Sequence, residues 1–193
     1  NHIMGNTPAG FIEKAGDVDG NGIIDVSDYI GVANIIMTGN IYGSSKSRAL
    51  KRNSTNLDDK NNVIYVAPLS VEKGTTTANL SICMKNSAAI RGFQFDLYLP
   101  DNVTAAKNAK GRIIASLAKA RLAADDEHTL TVAEQADGAI RFLCGSQYDE
   151  TFLGNDSEVA TLTLNIPEDV AVGDYPIFLK DIKLTETDIS KYY

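Results

Sequence analysis

The sequence predicts a mainly β chain, an antiparallel sandwich preceded by a small α-helical unit built on an acidic loop. Three observations predict it. Near the start, oxygen-bearing side chains recur at alternate positions of a twelve-residue stretch, and an amphipathic pattern of helical period follows at once. From residue 62 the apolar period changes to two. Clusters of Gly, Asn, Asp and Pro then separate one short alternating run from the next, as in a sandwich.

Length and composition set the bounds. A chain of 193 residues holds one ordinary domain plus a small one, and 44% hydrophobic residues suffice for a core. A net charge of −7 and a pI near 4.8 argue against nucleic acid, which attracts basic surfaces, and suit a protein that binds divalent cations. No apolar run is long enough for a membrane span, and no signal peptide is visible at Asn1, so the expectation is a mature chain or a fragment. The two cysteines, Cys83 and Cys144, form neither a metal motif nor a disulfide framework. Cys83 alternates with Leu80, Ile82 and Met84 in parity, which places it opposite the core and predicts two free thiols.

The acidic stretch is Asp17 to Asp28, DVDGNGIIDVSD. Asp17, Asp19, Asn21, Asp25 and Asp28 occupy loop positions 1, 3, 5, 9 and 12, Gly22 occupies the sharp turn at position 6, and Ile23 offers its carbonyl at position 7. This alternation serves a hard cation that takes six to eight oxygens at roughly 2.3–2.6 Å, so calcium is the expected cofactor. Ile24, at position 8, should pack on a neighbouring segment. A helix is predicted from Val26 to about Met37, its stripe drawn from Val26, Ile30, Val32, Ala33, Ile36 and Met37, with Ser27, Asp28 and Tyr29 on the polar face and Gly39 as the stop. Asp28 near its start also complements the helix dipole.

With Asp rather than Glu at position 12, and no convincing helix before the loop, the unit resembles a type I dockerin repeat. Dockerins are calcium-dependent modules that bind cohesin domains in extracellular polysaccharide-degrading assemblies. The segment Asn34–Asn40 echoes Asn1–Asn6, so the resemblance implies that residues 1–5 end a first helix whose own loop lies upstream. It also places Val26 and Ser27 where dockerins discriminate among partners; a solvated face is the other reading of these two. The expected organisation is a dockerin-like module at 1–40, a linker at 41–61 and a sandwich at 62–193. The linker is rich in Gly, Ser, Asn and charge and spans roughly 25 Å if flexible. Its basic cluster, Lys46, Arg48, Lys51 and Arg52, could dock on an acidic surface or remain solvated.

In the second part, Phe93, Phe95, Leu97 and Leu99 alternate with polar residues and mark a strand with one buried face. Similar runs are Leu80/Ile82/Met84, Leu130/Val132, Ile140/Phe142/Cys144 and Ala160/Leu162/Leu164/Ile166; Val63–Val71 begins the set and Tyr175–Leu184 closes it. A change of phase between Leu179 and Ile182 predicts a bulge. Residues 111–123 read either as a helix or as an irregular strand and crossover, with one short helical turn favoured. The stretches GFQFDLYLPDNV (92–103), QADGAIRFLCGS (135–146), VATLTLNIP (159–167) and VAVGDYPIFLKDIKL (170–184) resemble the cohesin-like sandwich. That jelly-roll or immunoglobulin-like architecture is shared with certain carbohydrate-binding modules, and it would need one more strand after Leu184.

The sequence offers little catalytic chemistry. His2 and His128 are the two histidines, the latter in a polar loop after Asp125, Asp126 and Glu127, and no G-x-S-x-G, H-E-x-x-H or P-loop pattern occurs. The dockerin-like and cohesin-like resemblances together imply a non-enzymatic, secreted or bacterial cell-surface binding or scaffold protein, in adhesion or polysaccharide-utilisation assembly. Its partner would be a cohesin or dockerin module, in the same chain or a copy of it. Glycan binding is the alternative, but the chain has no Trp, and Tyr98 and Tyr148 beside Phe152 make a sparse platform.

Overall fold

The computed structural model describes residues 2–18, 20–38, 61–146 and 150–186. Among the described residues, two α-helices precede nine strands: α1 (Glu13–Gly16), α2 (Val26–Thr38), β1 (Val63–Val66), β2 (Thr77–Lys85), β3 (Ile90–Tyr98), β4 (Thr104–Ala105), β5 (Ala115–Leu117), β6 (Thr129–Glu134), β7 (Ile140–Gly145), β8 (Asp156–Asn165) and β9 (Phe178–Glu186). One sheet has the order β1-β2-β8-β4, with β5 also on β8; the other has the order β6-β7-β3-β9. Every pairing is antiparallel. The mainly β antiparallel sandwich expected from the alternation is the architecture found.

The core lies between the sheets because alternate side chains of each strand point to it. Phe93, Phe95 and Leu97 of β3 meet Phe142 and Cys144 of β7 and Leu80, Ile82, Met84, Val159 and Leu162 of the facing sheet. Phe95 stacks on Phe142 at 4.7 Å, and Phe93 lies 5.6 Å from Phe152. Cys83 faces away from this core, and both cysteines are free thiols. The turn residues also behave as their chemistry requires: Asn102 and Gly138 have φ of +72° and +85°. The predicted bulge is present, with the β3–β9 register shifting opposite Gln94–Asp96 and Asp181 at φ +49°.

Several expectations need correction. β1 ends at Val66, earlier than Val71, and β9 starts at Phe178, later than Tyr175. Residues 111–123 contain both readings, the strand β5 and a 3-10 turn at Lys119–Arg121. A single helical turn, α1, does precede the acidic loop; it has no side-chain cap at Ile12 and buries no residue, so no periodicity betrayed it. Residues 2–4 form a 3-10 turn, not an α-helical tail. The strand β3, read as buried on one face, is buried on both, because the N-terminal unit covers its outer side. The linker as far as residue 60, Gly39, the tail from 187 and Tyr148 fall outside the described residues.

Candidate functional site, an acidic loop and helix seated on a glycine hollow

The acidic loop is held together by its own backbone. Asp17 accepts hydrogen bonds from the amides of Asn21 and Gly22, both at 3.0 Å, and Asn21 Oδ1 accepts from the amide of Ile23 at 2.7 Å. Asp28 reaches back across the loop, Oδ1 accepting from the amide of Val18 at 2.6 Å and Oδ2 from that of Asp25 at 2.9 Å. Gly22 adopts φ +85°, a turn that residues with a Cβ resist. Asp25 caps α2, its Oδ1 accepting from the amide of Ser27 at 2.8 Å. Ile23 turns its side chain to solvent at 55% exposure, leaving only its backbone for any ligand role. Ile24 and Phe11 close over Gly16, where a Cβ would lie 2.9 Å from the Phe11 ring. Asp19 lies outside the described residues.

This donor set fits calcium. The described side chains offer only hard oxygens, and backbone amides hold their orientation. Asp25 and Asp28 are 4% and 2% exposed, so their charge is met by hydrogen bonds and paired cations and not by bulk water. Lys183 of β9 supplies one positive charge, its Nζ 2.9 Å from Asp25 Oδ2. Both oxygens of Asp25 are thereby engaged, one by the cap and one by Lys183.

The helix lies against the outer face of β3, β7 and β9. Gly92 of β3 and Gly145 of β7 are direct cross-strand partners, and their missing side chains leave a hollow. Ile30 fills it: a Cβ on Gly145 would lie 3.0 Å from Ile30 Cγ1, and one on Gly92 2.9 Å from Ile30 Cδ1. Val26, Ile30, Met4 and Leu143 form a separate buried cluster. Around it, Tyr29 Oη is 3.0 Å from Thr129 Oγ1, and Ser27 Oγ 3.3 Å from Thr185 Oγ1. Arg141 forms a two-pronged pair with Asp96 at 2.6 and 2.5 Å while donating to the carbonyl of Ile3 at 2.8 Å. The Asp96 bond holds the Arg141 guanidinium's pKa above its ordinary value.

Ser27 and Tyr29, expected on a polar outer face, thus point to the sandwich, and Asp28 is folded into the loop. Val26 is wholly buried in the contact with Leu143, which excludes the solvated reading for it. Sequence reasoning missed Lys183, Arg141 and the glycine pair. Two glycines inside strands signal a close approach, but Gly92 and Gly145 are paired only by the register of β3 with β7.

The outward aromatic Tyr98 is engaged, its hydroxyl donating to Asp137 Oδ2 at 2.8 Å and Lys180 Nζ lying 4.5 Å over its ring. His128, expected in a polar loop, is buried: Nδ1 faces Asp126, and Nε2 lies 2.9 Å from the carbonyl of Arg91. That carbonyl stands where a nucleophile would have to be.

No family model matches this sequence, and no curated protein matches it. Solved structures similar to it are cohesin modules. A cohesin in complex with Doc918 from Clostridium thermocellum is 15% identical with a TM-score of 0.49, covering 65% of this chain and 84% of its own. A type III cohesin of the cell-surface anchoring scaffoldin ScaE from Ruminococcus flavefaciens is 13% identical with a TM-score of 0.46, covering 72% and 76%. A non-cellulosomal cohesin from the archaeon Archaeoglobus fulgidus is 9% identical with a TM-score of 0.47, covering 65% and 78%.

Proposed function

We propose that this chain is a non-enzymatic extracellular binding and scaffold protein, in which a calcium-fixed, dockerin-type loop-helix unit recognises the outer face of a cohesin-like sandwich in its own chain. The seating of Ile30 in the Gly92–Gly145 hollow carries the reading, because an apolar anchor in a matching pocket is how a recognition surface concentrates its energy. Calcium would fix the loop, the loop would set the start of α2, and α2 would present Val26, Ser27, Tyr29 and Ile30 together. The unit would occupy residues 1–40 and the sandwich residues 62–193, joined by the segment 41–61. A place in cell-surface adhesion or polysaccharide utilisation follows from the dockerin-like motif. Glycan binding is the weaker alternative, since Tyr98 is already bound to Asp137 and Lys180.

Gly145→Ala separates docking from folding. Its new Cβ meets Ile30 at 3.0 and 3.1 Å and Tyr29 at 3.5 Å, whereas one on Gly92 would strike the carbonyl of Cys144 at 2.6 Å inside the sheet. Hydrogen exchange on the full chain should show α2 protected with calcium and exposed in chelator. Gly145→Ala should weaken that protection by roughly 1–3 kcal/mol and leave β2 and β8 unchanged. Protection of α2 indifferent to both chelation and the substitution refutes the proposal. Protection that grows with protein concentration would move the partner to a second copy.

A further inference from the structure

A second cluster stands where the chain enters β6. Asp126 and His128 come from the turn before that strand and Glu150 from the segment leading to Phe152, and one ligand-capable atom of each lies within 4.8 Å of the others. The side chains of His128 and Asp126 are 0% and 2% exposed. His128 Nε2 faces the Arg91 carbonyl at 2.9 Å, and a carbonyl only accepts, so Nε2 carries a hydrogen. Nδ1 then faces the two oxygens of Asp126, at 2.8 and 2.9 Å. A carboxylate also only accepts. A neutral ring would therefore aim its lone pair at an anion, and a positive species belongs between them. Glu150 brings a second carboxylate, its Oε2 fixed by Ser146 Oγ at 2.6 Å and the amide of Glu127 at 2.8 Å.

We propose that Asp126, His128 and Glu150 form a binding site for a divalent transition ion of the Zn2+ class, distinct from the oxygen-only loop at 17–28. One imidazole nitrogen with two carboxylates is a donor set for zinc, whereas calcium takes oxygens alone. The Nε2–H bond to a backbone carbonyl is the contact that orients a metal-bound histidine and leaves Nδ1 free to ligate. A divalent ion would bring two carboxylates and a neutral ring to zero charge, where a second proton leaves them one negative charge. Tetrahedral zinc ligands at about 2.1 Å stand roughly 3.4 Å apart, so Nδ1 and Asp126 need separate by only about half an ångström. The Phe152 ring, 4.4 Å from the imidazole, closes one side of the site. The ion would tie the segment before β6 to the segment before β8 at one end of the sandwich.

The full chain, first saturated with calcium to fill the loop, is titrated with Zn2+ against a chromophoric chelator and with Co2+ by visible absorption. The expected result is one equivalent of Zn2+ taken up at micromolar or tighter Kd, with a rise in Tm. Glu150→Gln, which keeps the side chain's size and an oxygen to accept from Ser146 and Glu127, should weaken zinc about 100-fold while calcium affinity stays unchanged. His128→Asn should abolish uptake. No uptake by the calcium-saturated wild type overturns the proposal, as does uptake that survives Glu150→Gln; ring 15N shifts showing both His128 nitrogens protonated would then identify an imidazolium pair.

Discussion

At the scale of the residue, Lys183 has the most to say about the loop. Its ammonium sits on Asp25, beside the carboxylates that would hold the ion, so a bound calcium and Lys183 repel each other. Lys183→Met should tighten calcium binding by several fold, on the order of 1 kcal/mol, with the difference shrinking in high salt. Calorimetric titration at two ionic strengths reads both; unchanged affinity would remove Lys183 from the site. The thiols allow a second prediction. Burial pushes the Cys144 thiol well above its ordinary pKa, and burial, outweighing the hydrogen bond from Tyr65 that lowers it, raises Cys83 as well. Both stay protonated at neutral pH, where the thiolate is the reactive form. Ellman's reagent should label neither rapidly in the native chain and both in denaturant.

Among the elements, β9 carries the least regular geometry. Asp181 holds φ +49° at the bulge that restores the phase between Leu179 and Ile182. Asp tolerates that region and a β-branched residue does not. Asp181→Ile should cost about 1–3 kcal/mol in denaturant unfolding, and Asp181→Gly should change stability by less than about 1 kcal/mol. Equal effects would mean that the bulge relaxes freely. The phase change was legible because Leu179 and Ile182 both had to reach the core. β3 was legible only in half: its Phe and Leu positions announced the inner face, but Gly92, Gln94 and Asp96 looked solvent-facing until α2 and the N-terminal turn were found over them.

For the whole molecule, the contact between the loop-helix unit and the sandwich couples two parts that composition alone would separate. Among the described residues no helix is long and apolar enough to cross a membrane. The acidic loop concentrates negative charge, and without an ion that charge opposes its own folding. Asp17→Ala or Asp28→Ala should therefore unfold residues 11–40 and spare the sandwich, seen as lost exchange protection in α2 with β2, β3 and β8 retained. Identical melting of both parts in calcium and in chelator would sink the coupling. The sandwich needs no such help. Its core is apolar, and buried Arg121 is satisfied by the carbonyls of Leu153, Met84 and Ser157 together with Asn86 Oδ1.

The sequence by itself determined whatever repeats over a short distance. Period two placed the strands and the inner faces, Gly and Asn placed the turns, and the spacing from Asp17 to Asp28 placed the loop and the start of α2. Tertiary structure alone decided which distant residues meet. Gly92 and Gly145 become one hollow through strand register, Lys183 reaches Asp25 across 158 positions, and Asp126, His128 and Glu150 converge from two connecting segments. The physical reason is that periodicity records which side of its own element a residue occupies. What lies against that side depends on how remote elements pack, and a glycine or a lysine looks the same in sequence whether it faces water or a buried partner.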